Sequence, residues 1–481
     1  MTKVIIGLAV WFSLITGALA AIEVEGLCFR EVFYDDRILE SGTKRTVGTL
    51  FVFLHNTGNS TDRVTGATLN GTGLDSLVSS QAVNWWRVWP EDIPAGGHAG
   101  LWICAGPAAF QLGDTVTVNV SSESGSQQQM SGVAQALSLR LGQIALTEEM
   151  DRLVVFVRNE DLTSTFELEQ VYMNGPVAES HLEWKQRLLQ PGETTFFSIQ
   201  LSSPLQPTEL INVRVTGRRT LDSTLQQPGA SLRAFPSYFG IGEWIEGEMW
   251  WSQTEMESYL NRGFETFSVD PWWYNNGGKN YLNRNIRFWV FPGSDPMDTA
   301  FIQAEKDNPA ISLYKLMDEP EFNYSVQWGL STNRTFWNLG ASQPSCYNMA
   351  IARRFPEWAP LADVAMMDHY CVGAPTANSN PYSRAKALEE SIWYTQALKR
   401  NTEPNQVWVW TQGLHTSGWS RVPSIYEMKV QLFLQLGRGA RGILWFGPHR
   451  ESNITPALQP SWDAVGDMNQ QMKHVRDYIA Y

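Results

Sequence analysis

The feature that most constrains the fold is the alternation of short apolar runs with segments of helical periodicity along residues 235–481. Apolar runs separated by helical segments are typical of strands in a parallel sheet. Eight strands are predicted, at 238–244, 264–270, 286–291, 311–318, 335–340, 363–370, 406–412 and 442–447. Helices are predicted at 253–262, 298–306, 346–354, 382–400, 423–436 and 462–479.

Two folds use this order of elements, an open doubly wound sheet and a closed (β/α)8 barrel. The count of eight units favours the barrel, and the length of the segment is close to the usual size of that fold. The segment also lacks the glycine-rich phosphate loop of doubly wound nucleotide-binding folds. We therefore predict a (β/α)8 TIM barrel over residues 235–481.

The region before the barrel shows short β-strand patterns separated by turn residues. The run at 51–56 is matched by the run at 153–159, and the later strands follow in the same order. This repetition predicts two tandem immunoglobulin-like β-sandwiches, over 21–134 and 135–225, and one larger sandwich is the alternative. Residues 226–234 contain Gln-Gln-Pro-Gly and are predicted to be a linker.

The N-terminus has the pattern of a secretory signal peptide over residues 1–20. Lys3 supplies the positive charge, an apolar run follows, and Ala18-Leu19-Ala20 forms a small-x-small cleavage site. We expect a secreted protein, with Cys28 and Cys104 paired in the first region and Cys346 and Cys371 in the last. Six glycosylation sequons are present, at Asn59, Asn70, Asn119, Asn323, Asn333 and Asn453.

The charge balance excludes several classes of partner. The chain has 36 basic and 49 acidic residues, a net charge of -13, and no basic run. This argues against binding to nucleic acid or to anionic membranes. No second stretch is long and apolar enough to span a bilayer. No cysteine spacing resembles a zinc site, so we expect neither a metal nor another cofactor.

The fourth predicted strand ends in two adjacent acids, Asp318 and Glu319, followed by Pro320. Proline cannot continue a strand, so the acids fall at its carboxyl end. In a barrel this end carries the functional residues, whereas a helix N-terminus is the other place that favours such acids. The other candidates at the strand ends are Glu243, Asp270, Trp272, Trp273, Asp368, Tyr370, Trp410, Gln412, Trp445 and His449.

This mixture of acids, amides and indoles matches the chemistry of sugars. Indole rings pack on the C–H faces of a pyranose, and 15 of the 21 tryptophans follow residue 234. Glycosidic cleavage needs an acid for the leaving oxygen and an anion or nucleophile for the sugar carbon. We therefore predict a glycoside hydrolase with an oligosaccharide or polysaccharide substrate. The alternative for the aromatic residues is that they fill a large core.

The two acids can be divided by role. Glu319 is the candidate general acid because the charge of Asp318 favours its protonated form, although Lys315 would oppose this effect. The seventh strand carries no acid, so a glutamate nucleophile is not expected there. Either Asp368 serves as base or nucleophile, or the 2-acetamido oxygen of the substrate attacks while Asp318 orients that amide.

The adjacent Asp318 and Glu319 at strand four, with β-sandwich domains ahead of the barrel, resemble glycoside hydrolase family 123. The arrangement is also similar to the wider group of substrate-assisted hexosaminidases. The resemblance implies N-acetylhexosaminide substrates, Asp318 as the residue that holds the acetamido group, and Glu319 as acid/base. A non-catalytic glycan-binding surface protein on the same scaffold remains the alternative class.

Overall fold

The computed structural model describes residues 22–32, 47–106, 109–110, 113–134, 137–176, 178, 182–244, 253–293, 296–372, 388–414, 421–448 and 451–480. The predicted signal peptide and His449 lie outside these ranges. Among the residues so described, no helix combines the length and the apolarity needed to cross a bilayer.

The C-terminal region is a closed barrel of eight parallel strands, as predicted. Each strand pairs with its neighbours in chain order, and the first pairs with the last. The strands are β19 (Gly240–Trp244), β20 (Thr266–Val269), β21 (Arg287–Val290), β22 (Ile311–Asp318), β23 (Ser345–Met349), β24 (Val364–Asp368), β25 (Gln406–Gln412) and β26 (Gly442–Phe446).

Ahead of the barrel, the described residues include one short helix, α1 (Leu74–Ser79). The described helices of the barrel region are α2 (Gln253–Asn261), α3 (Pro271–Asn276), α4 (Thr299–Glu305), α5 (Pro320–Asn323), α6 (Val326–Asn338), α7 (Phe355–Trp358), α8 (Glu390–Thr402), α9 (Ile425–Gly437) and α10 (Gln459–Ala480). Short 3-10 turns occupy Gly278–Arg284, Ala352–Arg354, Ala359–Leu361 and Glu451–Asn453.

Bulky side chains fill the inside of the barrel. Trp289, Trp408 and Trp410 lie in one buried interior cluster with Leu313. Gly240 faces Trp408, and a Cβ atom at this glycine would lie 2.5 Å from the indole. The lack of a side chain at Gly240 therefore leaves room for the indole ring of Trp408. These interior tryptophans act as core, as the alternative interpretation of the aromatic residues proposed.

The N-terminal region consists of antiparallel sheets, as predicted for sandwiches. The first set comprises β1 (Ile22–Val32), β2 (Val47–Asn56), β3 (Asp62–Leu69), β4 (Thr72–Gly73), β5 (Val83–Trp89), β6 (Asp92–Ile93), β7 (His98–Ala105), β8 (Thr115–Ser122) and β9 (Gln127–Val133). The second comprises β10 (Leu139–Leu146), β11 (Arg152–Asn159), β12 (Phe166–Met173), β13 (Leu182–Trp184), β14 (Leu188–Leu189), β15 (Thr194–Gln200), β16 (Leu210–Arg219), β17 (Leu225–Gln226) and β18 (Gly229–Arg233).

Two local predictions were wrong. Residues 226–234 are not a linker, because β18 pairs with β16 along its whole length. Residues 335–340 are not the fifth strand but the end of α6, whose buried residues recur at helical spacing. The fifth strand is instead β23, within a segment predicted to be helical. The error arose because β23 carries polar residues on a fully buried strand, which hides its apolar character.

The expected disulfides are absent, since all four cysteines are free and buried. Cys28 on β1 and Cys104 on β7 lie on opposite sides of β2. Two strand spacings separate them by roughly 9.6 Å, which is too far for a bridge. Cys346 aligns with Val364 at the start of β24, whereas Cys371 follows the other end of that strand.

One glycosylation sequon is incompatible with the fold. Asn333 is fully buried on α6, donates to Ser345 Oγ at 3.0 Å and accepts from Arg87 at 2.7 Å. A glycan on this amide would break both bonds. The other five sequon asparagines are exposed or half-buried, and their modification stays a prediction.

A buried ion pair joins the second sandwich to the barrel. Arg233 on β18 donates to Asp363 Oδ2 at 2.7 and 3.1 Å, and both side chains are almost completely buried. The same guanidinium donates to the carbonyls of Ala341 and Gln343. Asp363 Oδ2 also accepts from the backbone and the hydroxyl of Ser345 on β23. The network therefore fixes the fifth strand to the sandwich.

We expect Arg233→Ala to destabilise the protein by about 3–5 kcal/mol, because it leaves the Asp363 carboxylate buried and unpaired. The measurement is the midpoint and slope of urea unfolding. The matched control is Arg63→Ala, which breaks a salt bridge to Asp92 whose partners are both exposed. The control should leave the midpoint nearly unchanged. An equal shift in both variants would contradict the role assigned to the buried pair.

Candidate active site

A β-bulge in β22 determines which side chains point into the barrel. The pairing of β22 with β23 shifts register between Lys315 and Met317. Leu316 and Met317 both pack in the layer outside the barrel, so Lys315 and Asp318 both face inward. Residues three apart in a regular strand would face opposite sides. The bulge therefore places Lys315 and Asp318 on the same face of β22, where they form an ion pair.

Asp318 is held by two donors that approach the same oxygen. Lys315 Nζ lies 3.0 Å from Asp318 Oδ1, and Asn348 Nδ2 donates to that oxygen at 2.8 Å. The Lys315 side chain is fully buried, whereas the Asp318 side chain is 37% exposed. The lysine therefore contacts the carboxylate from the barrel interior, and the carboxylate remains accessible at the mouth of the barrel.

The ammonium of Lys315 lies in an aromatic environment. Its Nζ atom is 5.0 Å from the ring centroid of Trp289 and 4.9 Å from that of Phe291. Burial lowers the pKa of Lys315, and the neighbouring charge of Asp318 opposes this effect. Cation–π contacts and the ion pair together stabilise a charge that burial alone would disfavour.

Glu319 occupies an unusual backbone position directly after the strand. Its φ and ψ angles are 41° and 50°, in the left-handed region that non-glycine residues seldom adopt. Its N–H donates to the carbonyl of Asn348 at 2.8 Å, and Pro320 then starts α5. Strain of this kind concentrates at functional sites. Here the turn allows Glu319 to lie beside the carboxyl end of the barrel.

Asp368 at the end of β24 is in hydrogen-bonding contact with the Glu319 carboxyl. Its Oδ1 atom is buried. Burial, together with the charges of Glu319 and Asp318, raises the pKa of Asp368 well above its usual range. A protonated Asp368 can donate to Glu319, whereas two ionised carboxylates at this distance would repel each other. The charge of Glu319 is therefore one reason why Asp368 favours its protonated form.

Tyr370 is a further titratable residue of the site. Burial, followed by the charges of Asp368, Asp318, Glu319 and Glu243, raises the pKa of Tyr370 well above its usual range. The phenol therefore stays protonated and can donate a hydrogen bond. Its ring packs against Phe446, with 4.9 Å between the centroids.

The other predicted site residues have mostly structural positions. Asp270 caps α3 by accepting from the backbone of Trp273, which is itself buried beside Phe288. Trp445 points outward and donates to Asn469 on α10 at 2.8 Å. Trp445 therefore faces away from the barrel interior, whereas a role of Asp270 and Trp273 in substrate binding stays a prediction.

Four further candidates differ in their exposure. Gln412 is buried, and its amide both accepts from and donates to the backbone of Val372. Glu243 is fully buried, and its register partner is the outward-facing Trp445. Trp272 is 54% exposed after β20, and Trp410 is buried inside the barrel beneath Phe446. Only Trp272 of these four is accessible to a ligand in this conformation.

The sequence interpretation missed two polar residues next to the acids. Asn348 was overlooked because its segment was predicted to be helical. Glu321 is buried and accepts from the backbone N–H groups of Ala350 and Ile351 at 2.6 and 2.7 Å. Burial raises the pKa of Glu321. This glutamate fixes the loop after β23 against the turn that carries Glu319. Its spacing two residues after Glu319 was the available signal.

Comparison with known proteins leaves the family open. No family model matches the chain, and no curated protein matches it. Among solved structures, it is similar to a β-glucuronidase from an uncultured Clostridium species, at 12% identity and a TM-score of 0.35, over 95% of this chain and 97% of that one.

Two further structures are similar at the same level. A β-D-glucuronidase from Dictyoglomus thermophilum is 9% identical with a TM-score of 0.32, over 87% of this chain and 90% of the other. A xyloglucanase from Bacteroides ovatus is 9% identical with a TM-score of 0.32, over 69% and 100%. Scores this low carry no argument about activity, which must be derived from the site itself.

We expect Asp368→Asn to stabilise the protein at neutral pH relative to the wild type. The raised pKa means that wild-type Asp368 takes up a proton on folding, and this uptake costs more as the pH rises from about 4 towards the folded pKa. Asparagine mimics the neutral carboxyl without this cost. The stability difference between the proteins should therefore grow by up to about 1.4 kcal/mol per pH unit in that window.

The measurement for this prediction is urea unfolding of both proteins at about pH 4.5, near the start of the window, and at about pH 7.5. The control is Asp222→Asn, because Asp222 is an exposed acid on the second sandwich. A difference between wild type and Asp368→Asn that does not change with pH would show that Asp368 is ionised in the folded protein.

Proposed function

We propose that this chain is a glycoside hydrolase in which Glu319 transfers a proton to the leaving oxygen of the substrate. The observation that carries the proposal is the contact between Glu319 and Asp368 beside the accessible Asp318. A carboxyl pair that shares one proton supplies an acid at neutral pH. The neighbouring carboxylate provides the negative charge that an oxocarbenium-like transition state requires.

The proton has a defined path in this scheme. Asp368 holds it in the resting site and donates a hydrogen bond to Glu319. The leaving glycosidic oxygen takes this single proton by way of Glu319, which leaves both carboxylates ionised until water returns a proton. In the second step Glu319, now ionised, accepts a proton from the attacking water. Glu319 is thus general acid and then general base.

The nucleophile that fits best is the 2-acetamido oxygen of the substrate. Retaining enzymes that use two carboxylates place them about 5–5.5 Å apart, and inverting enzymes about 6.5–9.5 Å apart. Glu319 acts on Asp368 as a hydrogen-bonding neighbour, which indicates a shorter separation than either of these designs uses. This closeness favours substrate assistance over the alternative in which Asp368 is nucleophile or base.

Asp318 is suited to hold the acetamido group. Lys315 and Asn348 both approach its Oδ1 atom, which leaves Oδ2 to accept from a substrate N–H. The Tyr370 hydroxyl is a donor for the amide oxygen. These roles agree with the resemblance to family 123, and we extend the proposal to N-acetylhexosaminides on that basis. We also propose export, from the signal-like residues 1–20.

We expect Glu319→Gln to reduce kcat by about 10²- to 10⁴-fold while the fold persists, because the amide cannot donate the catalytic proton. The measurement is hydrolysis of aryl and natural glycosides, with circular dichroism to check folding. Glu305→Gln, in an acid on α4 away from the mouth, is the control that should keep full activity. Full activity in Glu319→Gln would sink the proposal, and glycan binding without hydrolysis by the wild type would favour the non-catalytic class.

Substrate assistance makes a separate prediction. 4-Nitrophenyl N-acetylhexosaminides should be hydrolysed at least ~10²-fold faster than the matching glycosides with a 2-hydroxyl group, which lack the nucleophile. A thiazoline mimic of the cyclised amide should inhibit competitively, and Asp318→Asn should weaken this inhibition. Equal rates on both substrates without thiazoline inhibition would instead support Asp368 as the nucleophile or base.

A further inference from the structure

Three metal-ligating side chains converge on the first sandwich, far in the chain from the barrel acids. Glu25 lies on β1, His55 on β2 and His98 on β7, which are consecutive strands of one sheet. His55 and His98 are directly paired in the register of β2 and β7. A register shift between Val24 and Gly26 places a bulge at Glu25. Sheet pairing therefore fixes the positions of all three residues.

We propose that Glu25, His55 and His98 form a binding site for a divalent transition metal, with Zn²⁺ as the first candidate. The Nδ1 atom of His55 lies 3.2 Å from Glu25 Oε1, and that of His98 lies 3.4 Å from Glu25 Oε2. One ligand atom from each residue falls within 4.8 Å of the other two. Bonds of about 2.0–2.1 Å to a tetrahedral ion place its ligands about 3.3 Å apart, close to these distances.

The donor set suits zinc or another borderline metal. Two imidazole nitrogens and one carboxylate oxygen are ligands that Zn²⁺ uses with an open fourth position. The three side chains are between 18% and 26% exposed, so water can reach this position. The imidazoles are stacked, with 4.3 Å between the centroids and 15° between the planes. Each ring must turn so that both Nδ1 lone pairs meet at the ion.

One further charge lies close to the Glu25 carboxylate. Arg214, on β16 of the second sandwich, is near enough for its charge to act on Glu25, and its guanidinium is 4.8 Å from the ring of Tyr172. A cation there repels a metal, so we expect Arg214→Ala to tighten binding.

The second sandwich closes one side of the site. A Cβ atom at Gly175 would lie 2.8 Å from Glu25 Oε1, and this residue has a positive φ of 93°. Only glycine therefore allows the β12 turn to approach the carboxylate this closely. An ion bound to Glu25 would be located where the two sandwiches meet. We infer that it braces this contact and takes no part in the chemistry proposed for the barrel.

The test is isothermal titration of the full chain, without an affinity tag and after chelator treatment, with ZnCl₂ at about pH 7.5, where histidine is largely neutral. We expect one Zn²⁺ per chain, and loss of this binding in His55→Ala and in His98→Ala. His474→Ala, in an exposed histidine on α10, is the matched control and should bind like the wild type. Glu25→Gln should weaken binding without unfolding the sheet.

Two outcomes would overturn the site. One is no stoichiometric Zn²⁺ binding by the wild type, and the other is unchanged binding in a His55→Ala/His98→Ala double variant. If an alanine variant does not fold by circular dichroism, His98→Gln keeps the polar group and repeats the test. None of these results depends on hydrolytic activity.

Discussion

The ion pair between Lys315 and Asp318 is the interaction on which the site depends. A lysine at the centre of a barrel is costly unless an anion reaches it. The bulge in β22 brings Asp318 to the same face and supplies that anion at 3.0 Å. The same bulge leaves Glu319 one position further on, at the turn before α5. One irregularity in the strand thus places a charge-paired Asp318 next to Glu319 in its left-handed turn.

Asp318 and Asp368 lie in different environments. Asp318 is accessible and contacts a buried cation, so its charge is compensated. Asp368 is half-buried with its Oδ1 atom enclosed, faces other carboxylates and has a raised pKa. Pairs of titratable groups whose surroundings push their protonation apart are the usual basis for dividing acid and base roles. The fold produces this difference by drawing one acid from β22 and the other from β24, on either side of β23 and its Asn348 amide.

Local sequence patterns predicted the strands more reliably than the directions of the side chains. The strands β22 and β25 were found with their observed ends, and the acids at the ends of β22 and β24 do come together. The apolar pattern of β22 could not reveal the bulge, because a bulge reverses the direction of the following side chains without changing the composition of the strand. Periodicity also misassigned Trp445, whose outward direction depends on a contact with Asn469 on a distant helix.

The sandwiches are tied to the helix that follows the proposed catalytic turn. Arg87, from the first sandwich, donates to Asn333 on α6, and its guanidinium lies 3.9 Å from the ring centroid of Trp337. Arg233, from the second, lies 5.7 Å from the same ring. Burial lowers the pKa of Arg87 to about 10, so the group stays charged at neutral pH. Because α6 begins shortly after Glu319, the two guanidinium groups anchor the helix next to the proposed catalytic residues. This coupling indicates that the sandwiches position the barrel site and are not simply appended to it.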